Sequence, residues 1–299
     1  MRKNLYILSI LLAALTSCRK GDTFEQAPYS LETSTRMAAE LVKGAPECFG
    51  HIKHDKVTTL SQGVSLLDLA YLDKGGYAVQ LYMFKVVLGT ASVGVAVPAP
   101  DKKTDYVGNL AERLNQEVLV LGAVNGDSQG SDKEPSGILY RNGAAIKGTF
   151  SDAKGGFFAT LKDGTAVVAS QADYGMYRTS LYNAVGTRER ILQGGYPVAL
   201  DKDARAARSF VAVSADGMTV WLGVVDGVYF YYSNGVTAST LADILKAAGA
   251  SDAALLPGGD VTTLVRRDDL GEKRFPLVNS PSANGIEKES VNALAVIEN

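Results

Sequence analysis

The stretch SFVAVSADGMTVWLGVV, from Ser209 to Val225, decides the fold class of this chain. Two runs rich in β-branched and aromatic residues flank the dipeptide Asp216-Gly217. A dipeptide of this kind between strand-like runs indicates a β-hairpin, because both central residues of the favoured two-residue turn need positive φ. The stretch therefore predicts two adjacent antiparallel strands.

The same pattern recurs twice nearer the N-terminus. Asn142-Gly143 stands in GILYRNGAAIKG, and Asp163-Gly164 stands in FFATLKDGTAVVAS. Two further apolar runs, Tyr77 to Leu88 and Glu117 to Val124, are rich in strand-forming residues. A domain built largely from antiparallel hairpins is therefore predicted.

Helices are predicted in three short segments. The clearest is TASTLADILKAAG, in which Thr237 is a candidate N-cap and Gly249 ends the helix. Its apolar face consists of Leu241, Ile244, Leu245 and Ala248. The segments TDYVGNLAERLNQ and SLETSTRMAAELVKG predict the other two. We therefore expect an α+β fold, a single domain of largely antiparallel sheet with hairpins and a few packed helices.

The N-terminus, MRKNLYILSILLAALTSC, has the pattern of an export signal. Arg2 and Lys3 precede an apolar run that is too short to span the roughly 30 Å hydrocarbon core of a membrane. The last four residues, LTSC, resemble a bacterial lipoprotein cleavage box, in which Cys18 would be lipidated. A plain secretory peptide with an incidental cysteine is the alternative. Cys18 and Cys48 are the only cysteines, so lipidation of the first would exclude an internal disulfide.

These patterns divide the chain into three parts. Residues 1–18 are expected to be a lipoprotein signal peptide, residues 19–55 an N-terminal linker with a short helix, and residues 56–299 one domain. The expected location is the bacterial cell envelope, with a lipid anchor in the outer membrane and the domain facing the periplasm or the surface. The membrane would then be a partner through the lipid anchor alone.

Charge and motif content exclude several function classes. Without the signal, the chain carries a formal net charge of −4 and shows no clustered basic face, so no nucleic-acid partner is expected. PGGDVTT lacks the lysine of a Walker loop, no G-x-G-x-x-G follows a strand, and G-x-S-x-G is absent. No cofactor is therefore expected.

One tight group of possible metal ligands occurs in CFGHIKHD. It consists of Cys48, His51, His54 and Asp55, and its spacing does not match the usual zinc patterns. We interpret the segment as an ordinary surface loop, and no metal site is expected.

Four segments carry polar residues beside glycine or at strand ends, namely AVNGDSQG, AARSFVAV, VVDGVYFYYSNGVT and LLPGGDVTT. In this order they resemble the phosphodiester glycosidase family, and the resemblance covers roughly residues 56–299. The matching positions are Ala123 to Asp127, Arg208 with Ser209, Val224 to Gly227, and Gly235 with Thr237.

The chain departs from the family pattern at several polar positions. The family's aspartate in N-L-D-G-G-G-S-S-T is Pro257 here, while Asp260 and Val261 replace a glycine and a serine. The other replacements are Ser128 and Gln129 for two phenylalanines, Val228 for an arginine, and Thr240 for a glutamate, and a basic residue near the tail remains as Lys288. The loop LLPGGDVTT is therefore retained, but its polar side chains differ from those of the family.

The resemblance implies a set of site residues. Catalytic carboxylates would be Asp127 and Asp226, with Asp260 acting in place of the missing aspartate three residues earlier. Substrate-binding residues would be Asn125, Arg208, Ser209, Gly258, Gly259 and Thr262. An arginine suits a phosphodiester because its guanidinium can make paired hydrogen bonds to phosphate oxygens, and a carboxylate can assist attack by water.

Each of these residues also has a structural interpretation. Asn125-Gly126 and Asp226-Gly227 could be turns, Arg208 could form a surface ion pair, and Asp260 could cap the next segment. Thr237 is better explained as an N-cap than as a ligand residue. The aromatic residues from Tyr229 to Tyr232 could stack on a sugar ring, or alternate members could face the core.

Together with the expected lipid anchor, the resemblance implies an envelope-anchored hydrolase of sugar-1-phosphodiester linkages in wall or exopolysaccharide glycans. The partner would then be a glycan or glycosyl-phosphodiester substrate, and the oligomeric state is open. The alternative from another class is a non-catalytic lipoprotein that keeps the fold and binds glycan or phosphate-containing polymer. The replaced polar positions leave both interpretations open.

Overall fold

The structure, a computed structural model, describes residues 29–151, 155–200, 203–227, 229–282 and 284–299. The predicted signal peptide with Cys18, and the replaced position Val228, lie outside the described residues. No helix in the described part of the chain is long and apolar enough to cross a membrane.

Within the described ranges the chain forms seventeen strands and four α-helices. The helices are α1 Arg36–Gly44, α2 Val107–Leu114, α3 Tyr174–Tyr177 and α4 Ala238–Ala247. Short 3-10 turns cover Pro46–Cys48, Ser131–Lys133, Gln171–Asp173 and Gly259–Val261. The strands are β1 His51–Ser61, β2 Val64–Leu72, β3 Ala78–Val87, β4 Ala91–Ala96, β5 Val120–Asn125, β6 Leu139–Arg141, β7 Ala144–Lys147, β8 Gly156–Leu161, β9 Ala166–Ser170, β10 Leu181–Thr187, β11 Arg190–Gln193, β12 Tyr196–Pro197, β13 Arg208–Val213, β14 Thr219–Val225, β15 Asp252–Leu256, β16 Leu264–Arg266 and β17 Ala293–Glu298.

These strands form three sheets. The largest has eight strands in the order β1-β2-β3-β14-β13-β15-β11-β12, and the others have the orders β7-β6-β10-β8-β9 and β16-β5-β17-β4. Every pairing between these strands is antiparallel. The predicted α+β class with a largely antiparallel sheet is confirmed.

All three predicted hairpins are present, joining β6 to β7, β8 to β9 and β13 to β14. Asn142 and Gly143 both have positive φ, at 51° and 80°. At Asp163-Gly164 and Asp216-Gly217 only the glycine does. There the aspartate oxygen accepts the N–H two residues later, from Thr165 and Met218, each at 3.0 Å. Aspartate side chains therefore stabilise two of the turns. The expectation of two positive φ values is wrong for these two.

The large sheet has a hydrophobic core on each face. Along β14, Trp221 belongs to the cluster beneath α1 and α4, whereas Leu222 belongs to the cluster shared with the two smaller sheets. This alternation follows from the period of two in a strand. Helix α4 begins at its predicted N-cap, Thr237, whose side chain accepts from the Thr240 N–H. The predicted apolar residues Leu241 and Leu245 are fully buried.

The packed structure extends N-terminally of residue 56. Strand β1 begins at His51 and pairs with β2, and α1 places Ala38 and Leu41 in the core beside α4. The surface loop expected around residues 48–55 is wrong, because Cys48 is buried and His51 onward is a strand. β1 is an edge strand with a mostly exposed or half-buried pattern, so its sequence carries little hydrophobic alternation.

Of the four possible ligands Cys48, His51, His54 and Asp55, only Cys48 belongs to a cluster of ligand atoms in the described part of the chain. Asp55 accepts hydrogen bonds from the backbone of Ser34 and Thr35. Cys48 has its sulfur near the carboxylates of Glu47 and Asp243, with ligand atoms within 4.8 Å of one another. Burial raises the pKa of the Cys48 thiol to about 12.

Candidate active site

The predicted site segments meet at one end of the sheets. Strand β5 ends at Asn125, which lies opposite Ala293 at the start of β17. Arg208, at the start of β13, lies opposite Val225 at the end of β14. Ser209 lies opposite Leu256, the last residue of β15. Segments far apart in sequence are thus brought to a common edge.

Asn125 joins three of these segments through its side-chain amide. Its Oδ1 accepts from the Ser209 hydroxyl at 2.7 Å and from the Thr263 N–H at 3.1 Å. Its Nδ2 donates to the Pro257 carbonyl at 2.9 Å. Asn125 and Ser209 are both buried, so their described contacts hold the site together.

Asp226 follows β14 and is completely buried. Its carboxylate accepts from Asn279 Nδ2 at 2.7 Å, from the Ser280 N–H at 2.9 Å and from the Tyr232 hydroxyl at 2.9 Å. Asn279 also donates to the Thr262 carbonyl at 3.0 Å. Burial raises the pKa of Asp226, and the three hydrogen bonds oppose that shift. This geometry suits a positioning residue that fixes Tyr232 and Asn279.

Asp127 is held by backbone groups from two directions. Its carboxylate accepts from the Ser128 N–H and the Gly137 N–H, each at 2.6 Å. The Asp127 N–H donates to Asn292 Oδ1 at 2.8 Å. A Cβ at position 186 would lie 2.6 Å from Asp127 Oδ2, so Gly186 is needed for this close approach. The orientation of the carboxylate is therefore fixed by charge-assisted hydrogen bonds.

Asp127, which is only 4% exposed, lines a narrow cleft of about 10 Å³ together with Ser128, Thr187 and Arg188. The side chain of Arg188 is 52% exposed, and its guanidinium pairs with Glu189 at 3.4 Å. The Thr187 hydroxyl is buried and has no hydrogen-bond partner among the described residues. The cleft thus combines a fixed carboxylate with an accessible cation.

Arg208 lies near this cation and is half-buried. It donates from Nη2 to the Ala204 carbonyl at 2.6 Å and from Nε to the Val236 carbonyl at 3.4 Å. Burial lowers the pKa of Arg208, the charge of Arg188 acts in the same direction, and Asp203 and Glu189 oppose both. Arg208 is therefore tied to backbone carbonyls, while Arg188 is the more available of the two arginines.

The loop that contains Gly258 and Gly259, called the glycine loop below, lies directly over the start of β13. A Cβ at Gly258 would come 2.4 Å from the Ala207 carbonyl oxygen, and the Gly259 N–H donates to that carbonyl at 3.1 Å. Thr262 is buried, and its hydroxyl has no partner among the described residues. Asp260 is exposed in the 3-10 turn. The structure therefore joins this loop to the site through backbone and leaves the Asp260 side chain at the surface.

Sequence reasoning missed several residues of this arrangement. Asn279 and Asn292 lie in the tail segment LVNSPSANGIEKESVNALAV, where neither had been singled out. For Tyr232 the sequence predicts only a possible stacking role. Arg188 lies in GTRERIL, a segment without a distinguishing signal. Cavities of about 550 Å³ and 530 Å³ open elsewhere, and no predicted site residue lines either of them.

The protein therefore has an antiparallel α+β fold in which carboxylates and arginines lie together at strand ends. A family model described as phosphodiester glycosidase matches residues 119–297. The chain belongs to this family, which confirms the resemblance seen in the sequence. The family and the fold together indicate phosphodiester glycosidase activity in general terms.

Solved structures show the same fold. The catalytic domain of zebrafish N-acetylglucosamine-1-phosphodiester alpha-N-acetylglucosaminidase, auto-inhibited by its pro-peptide, is similar with a TM-score of 0.62 and 17% identity, covering 82% of this chain and 88% of that one. A hypothetical protein from Synechocystis is similar with a TM-score of 0.60 and 12% identity, covering 82% of this chain and 64% of that one. A comparison with curated protein sequences found no match.

Proposed function

We propose that this protein is an envelope-anchored hydrolase of sugar-1-phosphodiester linkages in wall or exopolysaccharide glycans. The observation that carries the proposal is the cleft shared by Asp127 and Arg188, in a chain that belongs to the phosphodiester glycosidase family. A fixed carboxylate beside an accessible guanidinium matches the two needs of the reaction, which are activation of water and binding of a phosphate.

Each group has a defined role in the proposed reaction. Arg188 binds the phosphodiester, and the nearby charge of Arg208 adds to the positive potential there. Water attacks the anomeric carbon and passes a proton to Asp127. The bond from that carbon to the phosphate oxygen breaks, and its electron pair leaves on the phosphate. The products are a free sugar and a phosphate monoester.

The leaving group explains why a single carboxylate suffices in this scheme. A phosphate ester leaves as a weakly basic anion, so it needs less protonation than a sugar hydroxyl would need. Asp226 is fully buried and already accepts three hydrogen bonds, which suits positioning. The family's loop aspartate is Pro257 here, and the reaction does not require it in this scheme.

The second candidate is a non-catalytic glycan- or phosphate-polymer-binding lipoprotein. It is favoured by Pro257 at the family's aspartate position and by the exposed placement of Asp260. In this function the cleft arginine would bind phosphate while no bond is broken.

Sugar release separates the two candidates. The substrates are the methyl 1-phosphodiesters of N-acetylglucosamine, glucose and mannose, with wild type compared with Asp127→Asn and with the control Asp260→Asn. We expect Asp127→Asn to abolish release, and Asp260→Asn to retain it because that side chain is exposed. Binding without release by the wild type would establish the non-catalytic function. Loss of release in Asp260→Asn alone would contradict the assignment of Asp127.

The anchoring part of the proposal rests on Cys18 in the LTSC segment. We expect the wild type to fractionate with membranes and to carry lipid on Cys18, and Cys18→Ser to be released or left unprocessed. Cys48→Ser is the matched control, because Cys48 is buried in the domain and its loss should not change fractionation. A wild-type protein in the soluble fraction with no lipid mass at Cys18 would contradict anchoring.

A further inference from the structure

Two aromatic side chains stand out from the surface beside Asp226. Phe230 is 70% exposed and Tyr231 is 90% exposed. Their rings contact each other edge to face, with centroids 5.1 Å apart and an interplanar angle of 84°. We call this pair the aromatic platform. Large apolar side chains exposed side by side mark an interaction surface more often than aromatics scattered singly do.

The platform is carried by a turn with several hydrogen bonds. The Tyr229 carbonyl accepts from the N–H groups of Tyr232 and Ser233, at 2.9 Å and 2.8 Å. The Tyr229 hydroxyl donates to the Pro281 carbonyl at 3.1 Å. Asn234 Nδ2 donates to the Phe230 carbonyl at 3.0 Å. The two rings are therefore presented by a fixed backbone, which lowers the entropic cost of binding.

The same turn is joined to the candidate active site. The Tyr232 hydroxyl donates to the Asp226 carboxylate at 2.9 Å, and Asp226 continues through Asn279 to the glycine loop at Thr262. The platform is thus linked through Tyr232 and Asp226 to residues of the candidate site.

The area of the platform limits what can bind there. An aromatic side chain buries about 150–250 Å² at most, so two rings offer less than the roughly 800 Å² per partner of a stable protein interface. A pyranose ring has an apolar face of C–H groups that matches one aromatic ring in size. Polar groups lie next to the turn that carries the platform: Arg205, which pairs with Asp73, donates to the Gly235 carbonyl at 2.6 Å. Such groups suit a hydroxylated ligand.

We propose that the aromatic platform binds a sugar ring of a glycan chain whose phosphodiester lies in the Asp127–Arg188 cleft. This inference rests on the proposed function and narrows its substrate class. The protein would act on oligosaccharide or polysaccharide 1-phosphodiesters in preference to monosaccharide diesters. Phe230 and Tyr231 are specificity-determining residues in this scheme, and they take no part in bond breaking.

The test compares short and long substrates on the full-length protein. The probes are the methyl 1-phosphodiesters of N-acetylglucosamine, glucose and mannose, each as monosaccharide and as tetrasaccharide. For the double variant Phe230→Ala/Tyr231→Ala we expect KM for the preferred tetrasaccharide to rise about tenfold or more, as for loss of an aromatic binding anchor. Its kcat, and both constants for the monosaccharide, should not change. Tyr231→Trp should retain most of the tetrasaccharide affinity, because it keeps a flat ring.

Tyr196→Ala is the matched control. Tyr196 is 76% exposed, and it lies on β12 near Ser251, at the opposite end of β15 from the glycine loop. We expect this variant to behave as wild type with every probe. Equal tetrasaccharide KM values for wild type and the double variant, or no tetrasaccharide binding by the wild type, would overturn the proposal.

Two other occupants give different results. If the double variant loses sedimentation with phosphatidylethanolamine and phosphatidylglycerol vesicles but keeps tetrasaccharide affinity, the platform contacts membrane and the proposal is wrong. If it loses only self-association in sedimentation velocity, the platform contacts a second copy and the proposal is again wrong. If the wild type hydrolyses nothing but binds the tetrasaccharide through the platform, the proposed hydrolysis fails and glycan binding by the platform stands.

Discussion

Replacement of Arg188 by alanine should weaken phosphodiester binding and leave the fold intact. Arg188 lines the cleft with Asp127, and its guanidinium pairs at 3.4 Å with Glu189, whose side chain is 43% exposed. An exposed ion pair of this kind is worth about 0–1 kcal/mol, so the free energy of unfolding should change by no more than that. The effect of the substitution should therefore appear in binding.

The size of the binding effect follows from the contact that is lost. A hydrogen bond to a charged group is worth about 1.5–3 kcal/mol, which corresponds to roughly a ten- to hundredfold weakening. Arg188→Lys should recover part of it, because an ammonium keeps the charge but cannot form the paired hydrogen bonds of a guanidinium.

Arg208→Ala is the informative comparison. Arg208 donates to the Ala204 and Val236 carbonyls and is half-buried, so its removal should lower the free energy of unfolding by about 1–3 kcal/mol. Calorimetric titration with the methyl 1-phosphodiester of N-acetylglucosamine and urea denaturation measure the two quantities separately. If Arg188→Ala binds as tightly as wild type while Arg208→Ala loses binding without losing stability, the assignment of the two arginines is wrong.

Two further predictions concern the hydrogen bonds around the site. Asn125→Ala removes the partner of Ser209, Thr263 and Pro257, and it should lower the free energy of unfolding in urea by about 3 kcal/mol, against about 1 kcal/mol for the control Ser209→Ala. Equal losses in the two variants would refute this role of Asn125. Burial raises the pKa of Asp226 in the folded protein. The contribution of Asp226 to the free energy of unfolding is therefore fully present below its pKa in the unfolded chain, which is about 4, and is lost as pH rises through its pKa in the folded protein. The free energy of unfolding of wild type minus that of Asp226→Asn should therefore fall as pH rises from about 4, and a difference independent of pH would contradict it.

The elements that sequence predicts well are those set by near neighbours. The turn at Asn142-Gly143 depends on residues that adopt positive φ, and the start of α4 depends on the Thr237 hydroxyl and an N–H three residues later. Strand β1 was missed because an edge strand with one solvated face has no strong apolar alternation. Interactions between residues close in sequence are therefore enough to predict hairpin turns and helix caps.

The site is less predictable because its contacts join distant segments. Asn125 and Pro257 are separated by 132 positions, and Asp226 and Asn279 by 53. The family resemblance identified the segments, but the partner of each side chain depends on how three sheets meet. Arg188 is an example, since the role proposed for it depends on the position of the β10–β11 connection beside Asp127, which the sequence alone does not indicate.

The altered glycine loop can be explained in the same terms. Asn125 hydrogen-bonds the carbonyl of residue 257, and Gly259 hydrogen-bonds the carbonyl of Ala207. Both contacts use main-chain atoms on the loop, and they do not depend on the side chain at position 257. The loop therefore keeps its place with Pro257 where the family has an aspartate.

The most direct test of the central claim is hydrolysis of the methyl 1-phosphodiester of N-acetylglucosamine in water labelled with oxygen-18. Mass spectrometry of the products shows which bond was broken, because attack at the anomeric carbon places the label in the sugar. We predict labelled sugar and unlabelled methyl phosphate from the wild type, and no turnover from Asp127→Asn. Label in the methyl phosphate, or turnover by Asp127→Asn at the wild-type rate, would contradict the account.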